Sequence, residues 1–240
     1  MSGKIPVLEI FGPTIQGEGM VAGQKTMFVR TGGCDYRCAW CDSAFTWDGS
    51  QKATPMTADE IMAQLEQVGG DRFSHVTISG GNPALHAGIA ELVERFREKG
   101  IESAVETQGS FWQDWLLEVD DVTISPKPPS SAMKTDWARL DTFMTRLSDR
   151  QAGNHNLKIV IFDEEDLAYA KHVHGRYPDV PFYLQVGNDD LDNQNPARLR
   201  DHLLEKYEWL VDRVMEDPAF NRVRVLPQIH ALLWGNKQGV

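Results

Sequence analysis

The sequence predicts an α/β fold on a mostly parallel sheet, and three observations carry that expectation. Strand-like and helix-like segments alternate along the 240 residues, the order that yields parallel strands joined by right-handed crossovers. The strand-like segments are near-continuous runs of β-branched and other apolar residues, as expected of strands covered on both faces. The polar and glycine-rich clusters "TGGCDYRCAWC", "SGGNP", "ETQG", "SPKPP" and "QVGND" each follow a strand's end. About seven strands would make either an open doubly wound sheet or an incomplete barrel. Both bind ligands where those loops converge, at the C-terminal ends of the strands.

The elements can be taken in order. "TMFVRTGG" reads as a strand running into a cysteine loop. "TADEIMAQLEQVGG" reads as a helix opened by Thr57 with Glu60 three residues on, a capping box, and closed by a glycine pair. "HVTISGG" is a strand, "LHAGIAELVERFREKG" a helix stopped by Gly100, and "IESAVETQG" a strand. "WQDWLLEV" is short and helical, and "DVTISPKPP" is a strand that enters a proline-stiffened loop. Helix and strand then alternate through "DWARLDTFMTRL", "NLKIVIF", "EEDLAYAKHVHGRY", "PFYLQVG", "PARLRDHLLEKYEWLVDRVM" and "RVRVLPQ". With no internal repeat and no low-complexity tract, residues 1–240 read as a single domain.

Hydrophobic residues make up 41% of the chain, enough to fill a core, and no stretch is long and apolar enough to span a membrane. The opening "MSGKIPVLEIFGPT" lacks the apolar centre and small-residue cleavage site of a secretory signal, so a cytoplasmic protein is expected. A net charge of −11 argues against a duplex nucleic-acid or anionic-membrane surface, which needs a basic stripe.

All three cysteines, Cys34, Cys38 and Cys41, fall within "GGCDYRCAWCDSAF". An odd number in a reducing compartment does not suggest a disulfide framework. Three readings compete. Inert packing is the commonest fate of a cytosolic cysteine, but Gly33, Asp35, Arg37 and Asp42 make poor core composition. A structural zinc ion usually takes four protein ligands, and the nearest histidine, His75, starts a strand 34 residues past Cys41. A four-iron cluster usually takes four cysteines. A loop with spacings of four and then three that supplies only three thiolates leaves one iron open to another ligand.

"CDYRCAWC" resembles the C-x3-C-x-aromatic-C signature of radical S-adenosylmethionine (SAM) enzymes. "SGGNP" at 79–83 resembles their GGE-P turn, with Asn82 where an acid is usual. Asparagine there removes a charge partner but keeps a hydrogen-bond acceptor. Within that superfamily, "FGPTIQGEGMVAGQKTMFVRTGGCDYRCAWCDSAF", with "SPKPPSS", "LQVGND" and "LPQIHALLWGNKQGV", is similar to the 7-carboxy-7-deazaguanine synthases over nearly the whole chain.

The resemblance implies an incomplete (β/α) barrel of the radical SAM type. It implies a [4Fe-4S] cluster on Cys34, Cys38 and Cys41 whose open iron chelates SAM, and the conversion of 6-carboxy-5,6,7,8-tetrahydropterin to 7-carboxy-7-deazaguanine with loss of ammonia, on the way to queuosine and related 7-deazapurines. One electron cleaves SAM, the resulting carbon radical removes a hydrogen from the pterin, the ring contracts and SAM is re-formed. By the same resemblance Trp40 packs beside the adenine and Gly81 lies in the turn that holds the SAM amino group. Glu106, Ser125, Pro126 and Lys127 flank the ribose and carboxylate of SAM, and Gln185 is a further SAM contact. Ser43 is a ligand of Mg2+, a hard cation suited to a hydroxyl oxygen. Arg30 reads the pterin carboxylate with a planar two-pronged donor, Ile15, Gln16 and Gly17 offer backbone contacts to the pterin, and Ser79 and His230 face the substrate. A flavodoxin or ferredoxin supplies the electron, and family members resemble homodimers.

Two other classes remain. A radical SAM activating enzyme acting on a protein partner shares the cysteine signature but has no clear use for Ser43 or the Q-G-E-G loop. A cluster-bearing electron carrier or a zinc-stabilised binding domain needs neither an open iron nor polar loops gathered on one face.

Overall fold

A computed structural model describes residues 3–150 and 152–240. Its sheet has nine strands in the order β3-β1-β2-β4-β5-β6-β7-β8-β9. These are β1 (Ile5–Ile15), β2 (Lys25–Thr31), β3 (Thr54–Met56), β4 (His75–Gly80), β5 (Glu102–Thr107), β6 (Asp121–Ile124), β7 (Asn154–Ile161), β8 (Phe182–Val186) and β9 (Val223–Leu226). From β2 to β9 every pairing is parallel between strands consecutive around the sheet. That order is an unclosed β/α barrel, and its seven parallel strands are the seven legible in the sequence.

The two strands that the sequence reading missed pair antiparallel: β1 with β2, and β1 with β3. Their prolines hid them, because proline removes a ladder donor and is confined to edges and bulges. Pro13 falls inside the register shift between Phe11 and Thr14, and Pro6 sits opposite Pro55 in the short outer strand. A final helix over 229–234 also went unread.

Among the described residues, six α-helices follow the strands: α1 (Ala58–Gly69), α2 (Ile89–Glu98), α3 (Trp137–Ser148), α4 (Glu164–Arg176), α5 (Pro196–Glu216) and α6 (Ile229–Trp234). The capping box expected at Thr57 is present. Its hydroxyl accepts the Glu60 amide, and the Glu60 carboxylate accepts the Thr57 amide. "WQDWLLEV" forms a 3-10 turn over Asp114–Glu118. The apolar faces of α1 to α4, for example Ile61 and Leu65, Leu92 and Phe96, Phe143 and Leu147, and Ala170 and Val173, pack on the outer face of the sheet.

The expectation of strands apolar on both faces is corrected here. On β7, Leu157, Ile159 and Ile161 belong to the apolar core, whereas Asn156 and Lys158 are just as buried but face the other way. Thr77, Thr123 and Gln185 repeat this on β4, β6 and β8. The barrel interior is therefore polar and only partly internally bonded, since neither side-chain polar atom of Gln185 has a hydrogen-bond partner among the described residues. Asn156 does donate to Thr123 Oγ1 at 2.8 Å. Helices cover one face, and a polar lumen that can hold a charged ligand lies on the other.

Candidate active site

The loops after the parallel strands converge on a cavity of about 320 Å³, within the range of small-molecule sites. Cys34, Cys38 and Cys41 all line it, and all three thiols are free. Burial pushes each thiol pKa up, that of Cys38 to about 11, so each is a neutral thiol at pH 7 and would have to lose its proton to ligate a metal. Among the described residues, no three His, Cys, Asp or Glu side chains gather on a single-ion position. A zinc ion needs its ligands on one point, whereas a four-iron cube takes each thiolate on a different corner. Donors already face the sulfurs: the Tyr36 amide and Trp47 Nε1 lie 3.4 Å from Cys34 and Cys41, respectively, and Gln108 Nε2 lies 3.7 Å from Cys34. Such N–H groups are what a bound cluster's sulfurs accept from. The residues fit the cluster.

The turn after β4 is set directly against this loop. A Cβ on Gly81 would lie 2.1 Å from the Gly33 carbonyl and 2.9 Å from Cys34 Cβ, so only glycine lets the two backbones touch. Asn82 is fully buried beside it. Its amide donates to Asp35 at 2.9 Å and to Ser110 at 3.2 Å, and its oxygen accepts from Thr107 at 2.8 Å. This is why the position holds an amide. A carboxylate could not donate to Asp35 and would face it as a like charge. Asn82→Asp is expected to lower stability by about 1–3 kcal/mol at pH 7. Burial and Asp35 would raise the new carboxyl's folded pKa above its unfolded value, so the deficit should shrink as pH falls through that raised pKa. Urea denaturation of the metal-free protein at pH 5 and pH 8 measures it. An equal or larger deficit at pH 5 would contradict the like-charge account.

Across the cavity, Arg30 lies between the rings of Phe11 and Phe45, 5.5 Å from each centroid. It donates Nε to Glu9 at 2.5 Å and Nη1 to Ser43 Oγ at 3.2 Å. Held on two sides and stacked on two faces, the guanidinium keeps its remaining donors for a ligand anion. Ser43 in turn donates to Asp42 at 3.0 Å, so a hydroxyl and a carboxylate stand together where a hard cation suits them. Trp40, on the cysteine loop, is fixed by its Nε1 on Ser130 Oγ at 2.8 Å. Ser130 is anchored by its hydroxyl and amide to the buried Asp166.

The floor is a charge cluster. Lys158, on the inner face of β7, is 1% exposed and forms ion pairs with both Glu18 and Glu106. Glu18 also accepts from Gln228 at 2.8 Å and lies 4.0 Å from His230. Burial pushes the Glu18 pKa up, but Lys158 and His230 overcome it and hold the carboxyl at about 2. Burial likewise opposes the Lys158 charge, and the two carboxylates outweigh it and raise its pKa. Gly17 makes room for this arrangement, since a Cβ there would lie 2.2 Å from His230 Nδ1.

A Radical SAM superfamily model matches residues 28–126. The chain is 62% identical over 244 residues to the 7-carboxy-7-deazaguanine synthase of Bacillus subtilis, covering all of both chains, and 60% identical to that of Bacillus cereus, covering 99% of each. The chain belongs to the 7-carboxy-7-deazaguanine synthase family. Its fold is also that of a solved structure titled QueE from Escherichia coli, with a TM-score of 0.66, 20% identity and 95% of each chain covered.

Measured against the expectations for a 7-carboxy-7-deazaguanine synthase, the cavity gathers Ile15, Gln16, Gly17, Arg30, Trp40, Ser43, Ser79, Gly81, Glu106, Lys127 and His230 with the three cysteines. Ser125, Pro126 and Gln185 do not line it. Ser125 is fully buried as a brace, its amide on the Thr107 carbonyl at 2.7 Å and its hydroxyl accepting from Lys127 at 3.1 Å. Pro126 is buried beside it, and Gln185 is sealed in the barrel interior. Lys127 alone of its trio reaches the cavity. Sequence reasoning missed Glu18 and Lys158 as functional residues. Glu18 lay in the quoted Q-G-E-G stretch, while a lone lysine in an apolar strand, "NLKIVIF", was the one available signal of Lys158. The tail over 235–240 also lines the cavity, tied down by Asn236, which donates to the Asp190 carbonyl at 2.9 Å.

Proposed function

We infer that this chain converts 6-carboxy-5,6,7,8-tetrahydropterin to 7-carboxy-7-deazaguanine with loss of ammonia, as a radical SAM enzyme. The observation that carries the reading is one cavity with three thiols on one wall and the Arg30–Ser43 pair on another. When bound, the cluster supplies the electron that cleaves SAM and so generates the carbon radical. The chain's own residues bind, orient and protect. Cys34, Cys38 and Cys41 hold the cluster, Trp40 and the Gly81 turn flank SAM, and Glu106 and Lys127 reach its polar groups. Arg30 holds the pterin carboxylate, Ile15 to Gly17 and Ser79 line the ring, and His230 closes the far side. Ser43, with Asp42 beside it, would hold Mg2+, whose charge would offset the repulsion between Asp42 and the substrate carboxylate. The protein lining of the cavity limits a reactive carbon radical's access to water and stray hydrogens. The enzyme works in the cytoplasm, where its three free thiols stay reduced, as a homodimer fed by a flavodoxin or ferredoxin.

The test is anaerobic turnover of the reconstituted protein with SAM, Mg2+, a reductant and 6-carboxytetrahydropterin, with products read by mass spectrometry. Formation of 7-carboxy-7-deazaguanine is expected. SAM cleavage with the pterin untouched would remove the substrate assignment and point to a protein substrate. Ser43→Ala is expected to retain the cluster's absorption while losing at least about tenfold in Mg2+-dependent turnover, roughly 1.4 kcal/mol of lost cation binding. An unchanged Mg2+ response would take Ser43 out of the metal site.

A further inference from the structure

The three sulfurs are not equally provided with donors. After the last cysteine, the 3-10 turn Ala44–Thr46 carries the backbone back over the loop, and the Thr46 carbonyl accepts the Gly33 amide at 2.7 Å. That return places the Trp47 indole N–H 3.4 Å from Cys41 Sγ. Cys34, by contrast, faces the Tyr36 amide and a side chain it must share. Gln108 gives its amide to Asp35 at 2.5 Å and lies 3.7 Å from the sulfur. Cys38 accepts from no other side chain among the described residues. Cys41 thus has a side-chain donor to itself.

The indole is braced in this pose. Arg37 lies over its ring, 4.7 Å from the centroid, and is itself tied to the carbonyls of Cys34 at 2.5 Å and Tyr36 at 2.7 Å. A cation on a ring face is attracted by the π-electrons. It draws them toward itself and so makes the indole N–H a stronger donor. The charge nearby runs the other way. Asp35 and Asp42 directly follow Cys34 and Cys41, in a chain of net charge −11. An electron added to a cluster on these thiols would add negative charge beside both carboxylates, which opposes reduction. Hydrogen bonds to the sulfurs and local charge are what set the potential of such clusters.

Taken with the radical SAM reading, on which it rests, we propose that Trp47, braced by Arg37, sets the reduction potential of the cluster. Its N–H on the Cys41 thiolate stabilises the reduced form and offsets the two aspartates. Trp47 acts through the Cys41 sulfur, as a positioning residue and not as a reacting group. The couple concerned takes one electron from a strong one-electron reductant such as dithionite. No covalent bond of the protein is made or broken, and the indole keeps its proton.

Redox titration of the reconstituted holoenzyme, with the reduced cluster read by electron paramagnetic resonance, tests this. Trp47→Phe keeps an aromatic face for Arg37 and loses the N–H. It should hold as much iron and sulfide as wild type. At a fixed applied potential its ratio of reduced to oxidised cluster should be about tenfold lower, a midpoint shifted down by about 59 mV. Arg37→Gln, which keeps the indole, should shift the midpoint the same way by less. Trp112→Phe is the matched control. Arg146 stacks on that indole at 5.0 Å, but its N–H donates to Asp114 at 2.7 Å, so the midpoint should not move. An unmoved midpoint in Trp47→Phe, or an equal drop in Trp112→Phe, would overturn the assignment. Should Trp47→Phe fail to assemble a cluster, protein with an isotope-labelled indole nitrogen decides the matter with Trp47 in place. Its reduced cluster should show a nitrogen coupling that persists in Trp40→Phe, whose own N–H is held by Ser130. Absence of that coupling would take Trp47 off the sulfur. Wild-type protein that took up no four-iron cluster would strike the radical SAM reading and this proposal together, whereas a normal cluster with an unmoved midpoint strikes only the role of Trp47.

Discussion

Lys158→Met is expected to destabilise the metal-free protein by about 3–5 kcal/mol at pH 7, because it leaves two carboxylates facing each other in the barrel without their counter-ion. The lysine is 1% exposed, and the side chains of Glu18 and Glu106 retain 16% and 29% of their exposure. Those carboxylates can therefore recover only a fraction of the lost interaction from water. For a chain of this length the change corresponds to a melting temperature lower by about 10 °C. The pH dependence separates a charge effect from a lost packing volume. In the wild type the Glu18 pKa lies at about 2, below its ordinary 4.5. It thus contributes stability above pH 4.5 that is lost as pH falls from there toward 2. Without Lys158 that contribution is gone, so the gap between variant and wild type should be widest at neutral pH and narrow across that acid window. Adding Glu18→Gln to the variant should restore part of the loss, a coupling that independent sites do not show. A gap constant from pH 7 to pH 3, with no rescue, would mean that the lysine matters only as filled space. Because the same three charges link the Q-G-E-G loop, β5 and His230, the variant should also raise the KM for both SAM and pterin.

Cys34→Ala, Cys38→Ala and Cys41→Ala are each expected to abolish SAM cleavage while leaving the metal-free fold within about 1 kcal/mol of wild type. None of the thiols sits in the apolar core; Cys34 and Cys41 accept only one or two weak contacts from nearby donors, and Cys38 accepts none from another side chain among the described residues. Their work begins when iron arrives, since a loop supplying two thiolates cannot hold a cube that needs three. Iron content, visible absorption and deoxyadenosine release measure this together. Any one variant that keeps a full cluster and cleaves SAM would remove that cysteine from the ligand set. A variant that also loses several kcal/mol of metal-free stability would show a packing role that its surroundings do not suggest.

Much of this architecture was legible because its determinants are local. The parallel strands, the Thr57 capping box and the cysteine spacing are each written in a few adjacent residues. The convergence of the loops follows from the rule that parallel strands present their C-terminal ends together. Strand β1 was not legible, because Pro6 and Pro13 argue against a strand unless the partner and the bulge that accommodate them are known. The same limit applies to Ser125. The family resemblance implied a SAM contact there, whereas the fold buries Ser125 as a brace whose hydroxyl accepts from Lys127.

The sequence by itself determined the fold class and the position of the cysteine loop, since these rest on patterns of period and spacing that survive in one dimension, and its resemblance to radical SAM enzymes implied the family of reaction. Tertiary structure alone decided which face of each strand is polar. It also decided that Asn82 is an amide because Asp35 lies beside it, and that Lys158 meets a glutamate 140 positions away. Those outcomes depend on which charges share a low-dielectric space. That is set by strand order around the barrel and by the burial that makes an unpaired charge costly.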